Sequence, residues 1–297
     1  MKEKAGKILH SDLAFDIIVN AIGVVIVLIV LVPLIFVIAA SFSDPDLVIR
    51  GEVLLWPKGF TTKAYTMVFE NEDIWRGFIN SCFYTVAGTT ISVVLTILAA
   101  YPLSRGNFQG RNIFMMLILF TMYFNGGMIP TYLLVRNLGM YNTVWALLIP
   151  AALSTYNLIV AKTFFENSIP GELYEAGTLD GCNNMQMLLR IVLPLSKAIL
   201  AVLVLYYAVD IWNAYFDALI YIRDEDMHPL QIVLRNILLL GQTEQMGTND
   251  AGMAEKVKMA EAVKYSAIVV SSIPMLLIYP FVQKYFVKGV MIGAVKG

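Results

Sequence analysis

Ile17-Ile-Val-Asn-Ala-Ile-Gly-Val-Val-Ile-Val-Leu-Ile-Val-Leu-Val-Pro-Leu-Ile-Phe-Val-Ile-Ala-Ala40 carries no charged residue over 24 positions. A helix needs about 20 apolar residues to cross a bilayer, and bare backbone crosses lipid only as a helix or a closed barrel. The block is continuously apolar rather than alternating, so it reads as a helix. The whole chain agrees: its 297 residues are 58% hydrophobic and 14% charged, where a soluble domain averages about 45–50% and about 25%. Working outward, further low-charge blocks of similar length lie at 82–103, 113–135, 143–165, 198–222 and 265–286. The expected fold is an all-α membrane protein with six transmembrane helices in one domain over 1–297.

Lys2, Lys4 and Lys7 precede the first block, and Ala39-Ala40-Ser41 resembles a cleavage site. A secretory signal has an apolar core of about 7–15 residues, so the longer block reads as an uncleaved anchor. The net charge of -1 suggests neither nucleic acid nor an acidic tail. Cys82 and Cys182 make no disulfide framework, and His10 and His228 lie too far apart in the sequence to suggest a metal or triad site.

Six spans place both termini on one side. Counted by side, the terminal side holds eleven Lys/Arg against seven acids and the other side ten against thirteen, with Asp210 and Asp217 inside a span. The short loop after the second block carries Arg105 and Arg111 and no acid, which places both termini in the cytoplasm. Outside then lie 41–77 and 223–264, in which 251–264 reads as helical; inside lies 166–197. Segments of this length are longer than tight turns require and suggest docking.

The inner segment divides into two short helices. Ser168 can cap the first, Pro170 suits its first turn, and Glu172 and Glu175 favour its positive end. Asp180-Gly181 stops it, because glycine reaches the left-handed conformation of a helix stop. Asn183 or Asn184 caps a second helix through Leu188 and Ile191 to Pro194. Such a knob is too small to bury an apolar face of Leu173, Ala176, Met187 and Leu188, so that face is expected in a cleft of another protein.

Glu175-Ala176-Gly177, Gly181 after three residues, and Ile191-Val192-Leu193-Pro194 after nine more resemble the EAA signature of ABC importer permeases. The departure is Gly177, where the pattern usually has alanine. Trp56-Pro57-Lys58-Gly59-Phe60 with Tyr65, Tyr101-Pro102-Leu103-Ser104-Arg105 and Trp212-Asn213 resemble the carbohydrate-uptake, maltose-type branch. Phe124-Asn125-Gly126-Gly127-Met128-Ile129-Pro130 and Lys288-Gly289-Val290-Met291-Ile292-Gly293 are similar to an oligosaccharide subgroup.

The resemblance implies a type I ABC importer permease fold in a bacterial inner membrane, surrounded by membrane lipid. It implies partners: a homologous second permease, a cytoplasmic ABC ATPase dimer, an extracytoplasmic solute-binding protein and a sugar or oligosaccharide. Segment 166–197 would be the coupling-helix loop. Glu175, with Ala176, Gly177, Asp180, Gly181, Ile191, Leu193 and Pro194, would engage or shape the ATPase contact. The chain itself has no G-x-x-x-x-G-K-[ST], H-E-x-x-H or G-x-S-x-G, so it is not read as an enzyme and needs no cofactor. ATP and Mg would belong to the ATPase.

Ionisable groups inside a span are costly and call for an explanation. Tyr206, Asp210, Asn213 and Asp217 recur at helical spacing and project within roughly 60° of one another. Two readings stand: contact with sugar hydroxyls, or hydrogen bonds between helices. Tyr123, Asn125, Tyr156 and Asn157 are further substrate-path candidates, and Gly126-Gly127 with Pro130 is expected to kink the third span. An alternative function is an ion-coupled secondary transporter using Asp210 or Asp217, although such proteins usually carry internal repeats and none is evident.

Overall fold

The computed structural model describes residues 2–244 and 263–280, with positions 260 and 283. Among them every regular element is helical. The chain forms two compact units, 1–71 with 234–271 and 72–233 with 272–297.

In the first unit, helix α1 spans Lys2–Ser41. From Phe15 to Leu34 its side chains are exposed on all sides, as expected of a helix that is apolar all round and solvated by lipid. Two serines fasten a cap onto its end. Ser43 Oγ donates to the Ala39 carbonyl at 2.7 Å and accepts from Lys58 N at 3.0 Å. Ser41 Oγ donates to the Ile38 carbonyl at 2.7 Å and lies 2.8 Å from the Tyr65 hydroxyl. The Phe42 ring sits between Phe60 and Tyr65, with centroids 5.7 and 4.8 Å away. The Trp56–Phe60 motif and Tyr65 therefore build this cap, which also holds the short helices α2 (Pro45–Ile49) and α3 (Lys63–Glu70).

The second unit is organised around α4, Glu72–Ser104. Its buried face carries Ser81, Thr85, Gly88, Ser92, Thr96 and Ala100, small residues three or four apart that let helices approach closely. A β-carbon at Gly88 would lie 2.8 Å from Ile211 Cδ1. Helix α4 begins ten residues before the expected block at 82. Residues 72–81 are amphipathic, with Glu72, Asp73, Arg76 and Asn80 exposed or half-buried, so hydropathy alone does not register them.

The expected span 113–135 is broken. Helices α5 (Arg111–Tyr123) and α6 (Met128–Asn137) meet at 116°. Asn125 Oδ1 accepts from Gly127 N at 2.9 Å, closing a local turn that competes with the helix. The expected span 143–165 is also divided, into α7 (Trp145–Leu148) and α8 (Thr155–Ser168). Pro150 falls in the gap, and Ser154 starts the second piece by accepting from Asn157 N.

Helices α9 (Gly171–Leu179) and α10 (Asn184–Met187) follow, then a π turn Leu188–Val192 and α11 (Leu193–Leu195). The stretch Asn184–Leu195 bends by 85° into α12, Lys197–Asn213. The expected span 198–222 is split after Asn213, with α13 at Phe216–Tyr221. A 3-10 turn at Glu225–Met227 precedes α14, Leu230–Glu244, and the last described long helix is α15, Val263–Pro280.

By length and composition, three described helices can cross a membrane, or up to five if each bent pair is one span. Most of the expected helix 251–264, the end of the span 265–286 and the Lys288–Gly293 motif lie outside the described residues.

Candidate functional site: a helical loop and a carboxylate-lined cavity

The loop 166–197 has one face inside the bundle and one outside it. Pro170 is the N-cap of helix α9, immediately before its first residue Gly171, and its φ of −59° suits a helix entry. Ser168 caps nothing, because it is the last residue of α8. The stop is a complete Schellman motif: Cys182 N donates to the Gly177 carbonyl at 2.9 Å and Gly181 N to the Thr178 carbonyl at 3.1 Å. Gly181 sits at φ 78°, the left-handed region that motif requires. Asn183 then opens α10 with a capping box, its side chain accepting from Gln186 N at 2.8 Å while Gln186 Oε1 accepts from Asn183 N at 3.0 Å.

Tyr174, Met187, Leu188 and Val192 are buried in one core with Ala100, Tyr101, Phe165 and Leu203. This corrects the expected apolar face: Met187 and Leu188 point into the chain's own bundle. Of that expected face Leu173 and Ala176 do stand outward, and with them Glu175, Leu179, Asp180, Met185 and Leu189, Leu179 being 89% exposed. Gly177 is not on the outer face either. A β-carbon there would meet the Met187 methyl group and lie 3.2 Å from Ile191 Cδ1. Leu193 and Pro194 continue the second arm. The wider π turn precedes Pro194, where α-helical turns would set the proline ring against the Arg190 carbonyl.

Three cationic contacts tie the loop to its neighbours. The Arg105 guanidinium lies 3.5 Å above the centre of the Tyr174 ring. Burial pushes the Tyr174 hydroxyl above the usual tyrosine range, with Arg105 opposing the shift. Glu166, where the loop begins, pairs with Arg111 and with Lys162, the latter at 2.8 Å. The Tyr101–Arg105 motif thus supports the loop at its base.

A cavity of about 350 Å³ opens elsewhere in the same unit, between α4, α7, α12 and α13. Asp210 and Asp217 line it with Ser81, Tyr84, Ser154 and Tyr207. Tyr207 cross-braces the walls: its hydroxyl lies 2.6 Å from Thr96 Oγ1 and accepts from Ser154 N at 3.1 Å. Tyr84 donates to the Met227 carbonyl at 2.8 Å, and Ser81 Oγ accepts from Leu230 N at 2.9 Å.

The four-residue stripe therefore does not act as one face. Tyr206 meets the Tyr156 ring with centroids 6.3 Å apart, and Asn213 donates back to the Val209 carbonyl at 2.8 Å; neither lines the cavity. Projection at 100° per residue also fails past Asn213, where the helix breaks before Asp217. Tyr123 and Asn125 are exposed at the α5–α6 break, and Asn157 is buried in α8. Ser81, Tyr84, Ser154 and Tyr207 are cavity residues that the sequence reading missed. Tyr207 was within reach, since it lies three residues before Asp210 and so on the same helix face.

Comparison with known proteins places the chain. Residues 72–292 match the sequence model of the family described as "Binding-protein-dependent transport system inner membrane component". The chain belongs to that family. Among relatives of this permease, the "Polygalacturonan/rhamnogalacturonan transport system permease protein YtcP" of Bacillus subtilis (strain 168) is 41% identical over 95% of this chain and 98% of its own. "Protein LplC" of the same organism is 40% identical over 99% and 97%. A solved structure described as a bacterial ABC transporter involved in the import of the acidic polysaccharide alginate matches with a TM-score of 0.84. It is 34% identical and covers 93% of this chain and 98% of that one. The permease is a membrane-embedded ABC transport component rather than an enzyme. Membership implies a machine with a second permease, an ATPase and a binding protein. It also sets aside the ion-coupled secondary transporter.

Proposed function

We propose that the permease is one half of the membrane channel of an ATP-driven importer for a sugar or oligosaccharide, delivered by an extracytoplasmic binding protein. The observation that carries this is the two-faced loop. Its Tyr174, Met187, Leu188 and Val192 side is keyed into the bundle, while Glu175, Ala176, Leu179 and Asp180 stand outward. A lever needs such rigidity on one side and accessibility on the other. In this reading the outward side seats in a cytoplasmic ATPase dimer that binds ATP and Mg. Gly181 fixes the angle between the arms, and Ile191, Leu193 and Pro194 join the second arm to α12. Both termini are then cytoplasmic, consistent with Arg105 and Arg111 lying at the same end as the loop. The sugar assignment is supported by the names of the relatives and by a cavity bearing hydroxyls and carboxylates.

The test is to purify the permease with its neighbouring permease and an ATPase, reconstitute them in liposomes, and assay ATP hydrolysis with binding protein and saccharide. Hydrolysis that requires both supports the function. Hydrolysis that responds to no saccharide removes the substrate class.

A further inference from the structure

The geometry points to a cargo-facing cavity that receives a neutral, hydroxyl-bearing sugar unit and discriminates against one carrying a carboxylate; this rests on the sugar-import reading above. The lining contains two carboxylates, Asp210 and Asp217, and no Lys, Arg or His. Neither carboxylate has a hydrogen-bond or ion-pair partner among the described residues. The two phenol groups are committed to holding the walls, Tyr84 to the Met227 carbonyl and Tyr207 to Thr96 and Ser154. What remains for a ligand is two strong acceptors, together with the protons of the Ser81 and Ser154 hydroxyls, whose oxygens already accept from Leu230 N and Asn157 N, on an otherwise apolar wall.

An ionised carboxylate accepts hydrogen bonds and cannot donate them. A sugar hydroxyl satisfies it; a uronate carboxylate brings a like charge into a partly desolvated space and gains no bond from either aspartate, leaving it only the two serine hydroxyls as donors. The volume, about 350 Å³, is within the range of about 300–1,000 Å³ typical of small-molecule sites, and the mixture of apolar wall with few polar groups is also typical. The likeness to an importer of an acidic polysaccharide would not lead to this expectation; the charge of the lining does.

The experiment uses the assembled importer in liposomes and a matched pair of oligosaccharides, an oligogalacturonide and its methyl ester, which differ in charge and little in shape. Binding-protein Kd values for both are measured separately, and uptake is compared at equal occupancy of the binding protein. The wild type is expected to import the ester at least roughly tenfold faster, the size of effect a single unit charge exerts at a partly solvated site. In Asp210→Asn/Asp217→Asn that preference is expected to collapse towards parity. Equal uptake of acid and ester by the wild type overturns the proposal, as does a preference unchanged in the double variant. Preferential uptake of a cationic amino-sugar oligomer also overturns it, in favour of a cation site. If the double variant fails to assemble, the wild-type pair and Asp217→Asn alone decide between the same outcomes. Failure of every saccharide to stimulate hydrolysis is a different result, because it removes the sugar-import reading itself.

Discussion

The terminal methyl group of Met187 occupies the space that a side chain at Gly177 would need. Gly177 is the one departure from the loop's signature, and the structure gives it a physical partner. Where the pattern usually has alanine, this chain has removed a methyl group from α9 and filled the gap with methionine from α10. Both residues are buried, so the exchange leaves the outward face of the loop untouched.

Gly177→Ala should therefore change stability little on its own, because the atoms it displaces are the flexible end of Met187. An overpacking cost of about 1 kcal/mol is offset by up to about 1 kcal/mol of helix propensity. Met187→Ala alone should cost stability, by leaving a void. The two changes together should cost less than their sum, with a coupling of about 0.5–3 kcal/mol in a thermal-unfolding cycle on the purified complex. Strict additivity would mean that the two residues do not share the space.

The Arg105 contact on Tyr174 should be worth about 0.5–2 kcal/mol, given its half-buried setting. Arg105→Ala should lower the unfolding free energy by that amount in the wild type, read as a lower unfolding temperature, and much less in a Tyr174→Leu background. An equal loss in both backgrounds would assign Arg105 to some other role.

Tyr207→Phe keeps the ring and deletes the hydroxyl shared by Thr96 and Ser154 N. Leaving a buried partner unsatisfied costs about 1–3 kcal/mol, while bonds between membrane helices average nearer 0.6 kcal/mol. A loss of about 1 kcal/mol is expected, read as a lower unfolding temperature in detergent, with α4 and α12 still assembled.

Two ionic sites should respond unequally. Arg76 and Asp226 are paired at 2.6 Å but largely exposed, so Asp226→Ala should cost no more than about 1 kcal/mol. Glu166 serves both Lys162 and Arg111, and these three side chains are only 13–30% exposed. Glu166→Ala leaves two half-buried cations without their carboxylate and should cost more. Comparing the two variants by denaturation in one detergent at one ionic strength checks the order.

Much of this architecture was legible where the local chemistry is unambiguous. The apolar run of 17–40 leaves no alternative to a lipid-facing helix. Asp180-Gly181 and Asn183 specify a stop and a start that need no tertiary context, and Gly126-Gly127 marks the break in the third block. Other features depend on partners distant in the chain. The polar first turns of α4 are helical while Arg76 and Asn80 hold the 226–228 segment. Ser168 had the chemistry of a cap, but α8 runs through it. The side of α12 that faces the cavity depends on which neighbour braces it, and Tyr207, rather than Tyr206, meets Thr96. Periodicity reports that a face exists without reporting what it faces.

The central claim, that the 166–197 loop acts as a rigid lever, is tested most directly through Gly181. At φ 78° a β-branched side chain is strained, by roughly 1–2 kcal/mol, and the Schellman stop is lost with it. Open space surrounds the position, so the substitution changes the backbone angle without creating a clash. The measurement is sugar transported per ATP hydrolysed by liposomes carrying the wild-type or the Gly181→Val complex. The account predicts that the variant complex inserts and assembles, still hydrolyses ATP, and loses most of its uptake per ATP. Uptake per ATP equal to that of the wild type would contradict it.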